Sequence, residues 1–181
     1  MIGGSFLRLF FPDEKVHTVE DVDYEGLVNA GIKAVIFDLD NTIAKWGDDS
    51  LAREINDLLG RLNSLGLKIG ILSNSRRKNV GDFARDLPFP HFFNANKPSG
   101  KGFYQLLEEL GVSPEEAAMV GDQLFTDVLG ANRINMYTIR VDPIDPDQEY
   151  SFTKINRVGE RLLLFLREVY RTLKRFREKN R

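Results

Sequence analysis

The sequence lacks cysteine and has few of the other side chains that bind transition metals. None of its 181 residues is Cys, and its two histidines, His17 and His91, lack the spacing of a zinc site. Disulfides, thiolate catalysis and a Cys/His metal centre are therefore excluded, so any metal ion must be bound by oxygen. Long apolar runs are also missing. The apolar stretch 6–11 is short, is interrupted by Arg8 and has no cleavage pattern, so we expect a cytoplasmic protein.

Charge is distributed unevenly along the chain. The net charge is −2, yet residues 153–181 carry ten Lys and Arg against three Glu, which leaves the preceding residues acidic. An acidic body suits a divalent cation, and a basic terminal segment suits an anionic surface. The length and the 42% hydrophobic content predict a single domain over 1–181, with its core at about 32–142.

Residues 153–181 are predicted to form a basic amphipathic helix after the Pro-rich stretch 142–147. The apolar residues that form one stripe at helical spacing are Ile155, Val158, Leu162, Phe165, Val169, Leu173 and Phe176. This stripe packs on the sheet of the domain, packs on a sister subunit, or docks onto an anionic membrane. Oligomerisation and a peripheral position at the inner face of the membrane therefore both stay open.

Short apolar runs alternate with stretches of helical periodicity, which predicts an α/β fold with a parallel sheet and helices on both faces. The five predicted strands are 34–38, 68–73, 92–94, 117–122 and 137–141. Most of these runs do not alternate with polar residues, as expected of strands that are covered on both faces. Ser113, Pro114 and Glu116 have the pattern of a capping box before the fourth strand.

Two carboxylates lie at the carboxyl end of the first predicted strand, at the edge where open α/β sheets bind their ligands. The sequence at 38–42 is DLDNT, which contains Asp38, Asp40 and Thr42. Because the chain can turn at the end of a strand, one carboxylate can attack a substrate while the other transfers protons. A capped turn with solvated acids is the alternative for this motif on its own.

Three later motifs lie at or just after the carboxyl ends of the next three predicted strands. Ser73 and Asn74, in LSNS, offer a hydroxyl and backbone N–H groups to a phosphate, and the Lys97 ammonium, in a Lys-Pro dipeptide, can balance its charge. Asp122 and Asp127 belong to GDQLFTD. Each motif alone is equally a turn, a solvated loop or a helix cap. Acids from several strand ends would nevertheless repel one another without a cation, and Mg²⁺ with oxygen ligands resolves that repulsion.

In this order, DLDNT, LSNS, KP and GDQLFTD resemble the four motifs of the haloacid dehalogenase superfamily, in its phosphatase branch, over roughly 34–141. The resemblance implies a Rossmann-like fold and a Mg²⁺-dependent phosphate monoester hydrolase that forms a phospho-aspartate. It implies that Asp38 is the nucleophile and a metal ligand. It also implies that Asp40 binds the metal through its backbone carbonyl and is the general acid and base. An aspartate at that position favours hydrolysis of phosphate esters.

The resemblance implies roles for the other motif residues as well. Ser73 and the Asn74 backbone would bind phosphate, with Thr42 bracing the nucleophile loop beside them. Lys97 would neutralise charge on the nucleophile and the phosphoryl group. Asp122 would be a further Mg²⁺ ligand, and Asp127 would support the site directly or through water.

The spacing of the motifs bears on the substrate. Only 33 residues separate Asp40 from Ser73 and only 24 separate Ser73 from Lys97, the two intervals in which this superfamily inserts cap domains. A capless, open site is therefore implied. The longer segment GDQLFTDVLGANRINMYTIRV, together with DLDNT, is similar to the YqeG-type members of subfamily IIIA. The mitochondrial relatives of these members dephosphorylate phosphatidylglycerophosphate. That phospholipid head group is one hypothesis for the substrate, and a small soluble or macromolecular phosphate is the other.

Several alternatives remain at this level. Arg76 and Arg77 contact a second anionic group of the substrate or are solvated, and Trp46 is a lip over the site or a packing residue. A non-catalytic module that binds a membrane or nucleic acid would tolerate loss of the acids, although no nucleic-acid partner is expected. A phosphotransferase would keep the same residues. A receiver-type signalling domain is disfavoured because it takes phosphate on an aspartate after its third strand.

Overall fold

The computed structural model describes residues 8–75, 87–147 and Gly159. The chain divides into two compact units, Met1–Asp147 and Gln148–Arg181. Almost all of the second unit lies outside the described residues, and so do the predicted helix 153–181 and both arginines of the hypothesised second anion contact. The predictions of one domain over 1–181 and of a terminal amphipathic helix therefore stay predictions.

The first unit alternates strands and helices, as the sequence predicts. The strands within residues 8–75 and 87–147 are β1 (Glu14–Lys15), β2 (Ala34–Phe37), β3 (Lys68–Leu72), β4 (His91–Phe92), β5 (Ala117–Gly121) and β6 (Tyr137–Arg140). The α-helices described in the same residues are α1 (Tyr24–Asn29), α2 (Arg53–Ser64), α3 (Gly100–Leu110) and α4 (Leu129–Asn132). Short 3₁₀ turns occupy Val19–Asp21 and Pro114–Glu116, and a π-helical turn occupies Leu124–Val128. Among the described residues, no helix is both long and apolar enough to cross a bilayer.

All six strands form one parallel sheet in the order β1-β6-β5-β2-β3-β4. This confirms the predicted parallel α/β architecture but corrects the predicted count of five strands. The additional strand is β1, which pairs Glu14 with Ile139 and Lys15 with Arg140 at one edge of the sheet. Two charged residues on an edge strand carry no apolar run, so the hydrophobic pattern gave no signal for them.

The central strand β2 divides the core into two layers. Val35 and Phe37 belong to the cluster that includes α1 and α2, whereas Ala34 and Ile36 belong to the cluster that includes α3 and α4. Successive side chains of a strand point to opposite faces, and all four are fully buried, which explains the unbroken apolar run in the sequence. Each of the larger side chains contributes roughly 1.5–3 kcal/mol on burial.

The ends of the central strands lie close to where the sequence places them. β2, β3 and β5 each end one residue earlier than predicted, so Asp38, Ser73 and Asp122 are the first residues beyond their strands. The capping box of Ser113 and Glu116 is present, although it caps a 3₁₀ turn that runs straight into β5. Three of the four motifs therefore begin at the same edge of the sheet.

Candidate active site

Three buried carboxylates meet at the carboxyl edge of the sheet. β2 and β5 are neighbouring strands, and the Asp38 N–H donates to the Val120 carbonyl at 2.9 Å, so Asp38 and Asp122 leave the sheet side by side. The π-helical turn after β5 supplies the third carboxylate, Asp127. One carboxylate oxygen from each of the three aspartates lies within 4.8 Å of the other two.

A glycine allows Asp127 to fold back onto the end of β5. A Cβ atom at Gly121 would lie 2.5 Å from Asp127 Oδ2, closer than real Cβ contacts allow. The same Oδ2 atom accepts a hydrogen bond from the Gln123 N–H at 3.1 Å, which closes the turn. Gly121, the glycine of GDQLFTD, is thus required because any side chain at this position would collide with Asp127, a role that was not predicted from the sequence.

Lys97 connects two of the three carboxylates. Its Nζ atom lies 2.5 Å from Asp38 Oδ1 and 2.7 Å from Asp127 Oδ1, and it donates a further hydrogen bond to the Leu72 carbonyl at 2.6 Å. An ammonium group has three donors, so these contacts use all of them. The Lys97 side chain is only 1% exposed, and the two ion pairs compensate its buried charge.

Burial dominates the acid–base behaviour of Asp38. Loss of solvent raises the pKa of its carboxyl to about 7, and the negative charges of Asp127 and Asp40 act in the same direction. The Lys97 ammonium opposes this rise. Burial on its own would lower the pKa of Lys97, but its two aspartate partners outweigh burial and raise it. In the described part of the chain, the Lys97 ammonium contacts Asp38 and Asp127 but does not offset the effect of burial on Asp38, and a bound cation would lower the pKa of Asp38.

The DLDNT segment turns sharply after β2. Asn41 has a left-handed backbone with φ of 65°, its N–H donates to the Ala44 carbonyl at 2.7 Å, and Asp40 forms a bridge with Ala44. The Thr42 hydroxyl donates to Asp38 Oδ2 at 3.3 Å. Thr42 thus braces the predicted nucleophile itself, while Asp40 is half-buried in the loop between them.

Ser73 and Asn74 directly follow β3, and Asn74 contacts the backbone of Lys97. Ser73 is buried and its Oγ accepts a hydrogen bond from the Ser75 N–H at 3.0 Å. Asn74 is exposed, and its carboxamide hydrogen-bonds the backbone of Lys97. The prediction for Asn74 used only its backbone, so the contact of its side chain is an addition that the sequence did not reveal.

The geometry brings most of the predicted site residues together. Direct contacts join Asp38, Thr42, Lys97, Asp127 and Asn74, and Asp122 lies beside Asp38 and Asp127. Other residues of the site were not predicted: the Leu72 carbonyl, Ser75 and Asn41. The second Ser of LSNS and the Asn of DLDNT were visible signals for two of these.

Trp46 belongs to the tip of a turn beyond the site. The Lys45 N–H donates to Asp48 Oδ2 at 2.9 Å, the Asp48 N–H donates to the Lys45 carbonyl at 3.2 Å, and Gly47 has φ of 98°. The Trp46 residue is 42% exposed. This partial exposure leaves both interpretations of Trp46, as a lip over the site and as a packing residue, as predictions.

The acidic cluster fits a divalent cation. All the donors are oxygen, as Mg²⁺ and Ca²⁺ require, and among the described residues the three buried carboxylates lie beside the Lys97 ammonium, which contacts two of them. Asp122 is fully buried and, although the residue has other interactions, its Oδ1 atom accepts no hydrogen bond from the described part of the chain. A buried carboxylate oxygen in this setting is suited to ligate a cation.

Comparison with known proteins agrees with this geometry. Residues 44–135 match the family described as haloacid dehalogenase-like hydrolase. A protein named probable phosphatase YqeG, from Bacillus subtilis (strain 168), is 33% identical over 157 residues, which cover 87% of this chain and 91% of that protein. The chain belongs to the haloacid dehalogenase-like hydrolases. It is a phosphatase of that family, and the alternative of a non-catalytic binding module is not supported.

Two further comparisons concern the substrate and the fold. Phosphatidylglycerophosphate phosphatase 1 of Chlamydomonas reinhardtii chloroplasts is 29% identical over 158 residues, which cover 82% of this chain and 58% of that protein. The crystal structure of a hypothetical protein from Xanthomonas campestris has a TM-score of 0.51 at 15% identity, and the match covers 72% of this chain and 76% of that one. The second similarity supports the fold alone.

Proposed function

We propose that this phosphatase is a Mg²⁺-dependent phosphate monoester hydrolase that works through a phospho-aspartate at Asp38. The observation that carries the proposal is the setting of the Asp38 carboxylate. One oxygen is held by Lys97 and the other by Thr42, and two further buried aspartates lie beside it. Such a carboxylate is fixed in place, and the charged groups around it are suited to stabilise a transferring phosphoryl group.

Asp38, Asp122 and the Asp40 backbone carbonyl would hold the Mg²⁺ ion. When bound, the ion supplies positive charge that stabilises the transferring phosphoryl group. Asp127 has a different part, because its Oδ1 atom already contacts Lys97 and its Oδ2 atom accepts from Gln123 N–H. Those contacts favour Asp127 as a supporting residue that positions the lysine.

Asp38 and Asp40 divide the chemistry between them. A carboxylate oxygen of Asp38 attacks phosphorus, the bond from phosphorus to the ester oxygen breaks, and Asp40 donates a proton to the departing alcohol. Asp40 then accepts a proton from a water molecule, whose oxygen attacks phosphorus and breaks the bond to Asp38. Phosphate leaves, and the ionised Asp38 and the protonated Asp40 with which the cycle began are both restored, so the cycle consumes one water and one ester.

Charge and phosphate contacts support both displacements. The Lys97 ammonium is placed to balance the charge of the nucleophile and of the phosphoryl oxygens. Ser73 and the backbone at Asn74 lie beyond β3, at the carboxyl edge of the sheet, and are proposed to bind the phosphoryl oxygens. These two contacts would hold the phosphoryl group against Asp38 in both steps.

The proposed substrate is phosphatidylglycerophosphate, which would give the enzyme a role in phospholipid synthesis. Similarity to the algal phosphatidylglycerophosphate phosphatase supports this choice. The short intervals between the motifs support it too, because they leave no room for a cap over the site. A peripheral contact with the inner face of the membrane, in a cytoplasmic enzyme, belongs to the same proposal.

A substrate panel tests both levels of the proposal. Phosphate release would be measured with and without Mg²⁺ on phosphatidylglycerophosphate in mixed micelles, on sugar and nucleotide phosphates, and on p-nitrophenyl phosphate. Asp38→Asn is the control, and we expect it to lower kcat by roughly 10⁴ or more because the nucleophile is lost. Preference for the lipid supports the substrate assignment, whereas activity on soluble esters alone refutes it. Full activity of Asp38→Asn would refute the phospho-aspartate.

A further inference from the structure

We infer that the side chain of Asn74 is a positioning residue that fixes Lys97 for catalysis, an inference that rests on the proposed function. The Asn74 Oδ1 atom accepts a hydrogen bond from the Lys97 N–H at 2.7 Å, and its Nδ2 atom donates to the Lys97 carbonyl at 3.0 Å. One carboxamide therefore holds both polar backbone groups of the lysine. We call this pair of hydrogen bonds the Asn74 clamp.

The segment that carries Lys97 needs such support from outside. Lys97 follows β4 and precedes α3, so it belongs to neither element. Asn94 and Asn96 both have left-handed backbones, with φ of 53° and 56°. This conformation is uncommon for residues other than glycine and persists when surrounding contacts enforce it. The Asn74 clamp is one such contact, at the residue whose position matters most.

The clamp continues the pairing of β3 with β4. Beyond the last paired residues, the Ser73 N–H donates to the Phe92 carbonyl at 2.9 Å and the Ala95 N–H donates to the Ser73 carbonyl at 3.0 Å. A backbone ladder would next require another main-chain partner for Lys97, and the Asn74 carboxamide takes that place. The predicted phosphate-binding residues, Ser73 and Asn74, and the segment that carries Lys97 are therefore held in a fixed register with each other.

Positional accuracy at Lys97 has a direct consequence at the nucleophile. Its ammonium reaches Asp38 Oδ1, Asp127 Oδ1 and the Leu72 carbonyl at 2.5–2.7 Å, so a shift of the backbone cannot leave all three contacts intact. Small displacements of charged groups in an active site reduce rate strongly, because stabilisation of the transition state depends on fixed positions. Asn74 would thus act through Lys97.

Only a carboxamide offers a donor and an acceptor in this geometry. Asn74→Asp keeps the shape and the acceptor for Lys97 N–H, but it places a carboxylate oxygen against the Lys97 carbonyl. Asn74→Ala removes both bonds. Asn132→Ala is the matched control, because the Asn132 Nδ2 atom donates to the Leu9 and Phe11 carbonyls at 2.9 and 3.0 Å, outside the site. Asn132 Oδ1 also accepts a hydrogen bond from the Thr138 hydroxyl at 3.1 Å, so this control removes at least as many bonds of one carboxamide as Asn74→Ala does.

The kinetic test is a double-mutant cycle between Asn74 and Lys97. With p-nitrophenyl phosphate and saturating Mg²⁺, we expect Asn74→Ala and Asn74→Asp to lower kcat by roughly 10–100-fold, the loss typical of supporting residues, with little change in KM. Adding Asn74→Ala to Lys97→Ala, followed in single turnovers, should cause no further loss. A full additional loss would overturn the inference, and so would an unchanged kcat in both single variants.

A second measurement needs no catalysis and separates this inference from the proposed function. The full-length protein would be treated with trinitrobenzenesulfonate, and modification of Lys97 followed by mass spectrometry. We expect Asn74→Ala to increase the rate of Lys97 modification several-fold, while Asn132→Ala and the wild-type protein keep it protected. Exposed Lys33 is the internal standard. Equal protection of Lys97 in all three proteins overturns the inference, and this outcome does not depend on which substrate the enzyme hydrolyses.

Discussion

Lys97 and Asp38 form a buried ion pair, with 2.5 Å between the Lys97 Nζ and Asp38 Oδ1 atoms and both side chains at most 6% exposed. The same ammonium lies 2.7 Å from Asp127 Oδ1. Buried charges are tolerated only when they are paired, so removal of the lysine leaves two aspartates without their counter-ion. Stability and catalysis thus depend on one side chain.

We expect Lys97→Met to lower the free energy of unfolding by about 3–5 kcal/mol in the absence of divalent cations, the usual cost of breaking a buried pair. Mg²⁺ should restore part of this loss, because it supplies positive charge to the same carboxylates. Urea unfolding with and without Mg²⁺ measures both effects. Lys101→Met, which removes an exposed lysine from α3, is the control. Unfolding curves of Lys97→Met that match those of the control would contradict the expectation.

Asp122→Asn should weaken the binding of Mg²⁺ and leave the nucleophile Asp38 in place. Asp122 is fully buried beside Asp38, and replacing its carboxylate by an amide removes one negative charge from the proposed site. We expect the Mg²⁺ concentration for half-maximal activity to rise by roughly 10–100-fold. Titration of activity against Mg²⁺ measures this concentration. Asp147→Asn, which removes an exposed acid, should leave it unchanged, and equal titration curves for the two variants would argue against Asp122 as a ligand.

The fold could be predicted from the sequence where burial controls the pattern. β2, β3 and β5 are covered on both faces, so their apolar runs mark them directly, and the first residues after them, Asp38, Ser73 and Asp122, were correctly placed at one edge. β1 was not predicted because its two charged residues lie at the sheet edge. A hydrophobic run indicates a buried strand, and an edge strand of two residues buries little surface.

The site could be predicted as a set of residues but not as a network. The motifs indicated that Asp38, Lys97 and Asp127 belong together, yet the bond from Asn74 to the Lys97 backbone has no local signature. It joins residues 23 positions apart, and Asn96, which directly precedes Lys97, has a left-handed backbone. Contacts of this kind follow from tertiary packing, which a single sequence does not encode at any one position.

Stability should depend on pH through Glu116 and Lys33. The Lys33 Nζ and Glu116 Oε1 atoms are 2.5 Å apart, and the hydrogen bond from Lys33, with a smaller effect of the bond from the Ser113 N–H, lowers the pKa of Glu116 from 4.5 to about 2. A carboxyl whose pKa is lower in the folded state adds stability above its unfolded pKa and loses it as pH falls through the folded value. Glu116 therefore adds stability at pH 7, and this contribution disappears between pH 4.5 and about 2.

Thermal unfolding of Glu116→Gln across that range checks the sign. The variant should melt below the wild-type protein at pH 7, and the two melting temperatures should converge as the pH approaches 2. Lys33→Met removes the partner and should show the same convergence. A difference between Glu116→Gln and wild type that stays constant from neutral to acidic pH would show that the interaction with Lys33 does not control this titration.

Asn41 should tolerate glycine better than alanine. Its backbone has φ of 65°, a left-handed conformation that glycine adopts freely and that costs alanine about 1–2 kcal/mol. Its side chain also matters, because Asn41 Oδ1 accepts from the Asp145 N–H at 3.1 Å, while the Asn41 carbonyl accepts from the Ile144 N–H at 3.1 Å. Asn41→Gly loses the first bond, worth about 0.5–1.5 kcal/mol, and keeps the second.

Asn41→Ala loses the same side-chain bond and adds the backbone strain, so we expect it to be the less stable variant by about 1 kcal/mol or more. Because Asn41 directly follows Asp40, its strained variant should also lose kcat, whereas Asn41→Gly should retain most of its activity. Urea unfolding and kcat on p-nitrophenyl phosphate compare the two. Equal stability of both variants would mean that the backbone at Asn41 relaxes out of the left-handed region at little cost. The loop that carries Asp40 would then be less rigid than the hydrogen bonds of Asn41 to Ala44, Ile144 and Asp145 indicate.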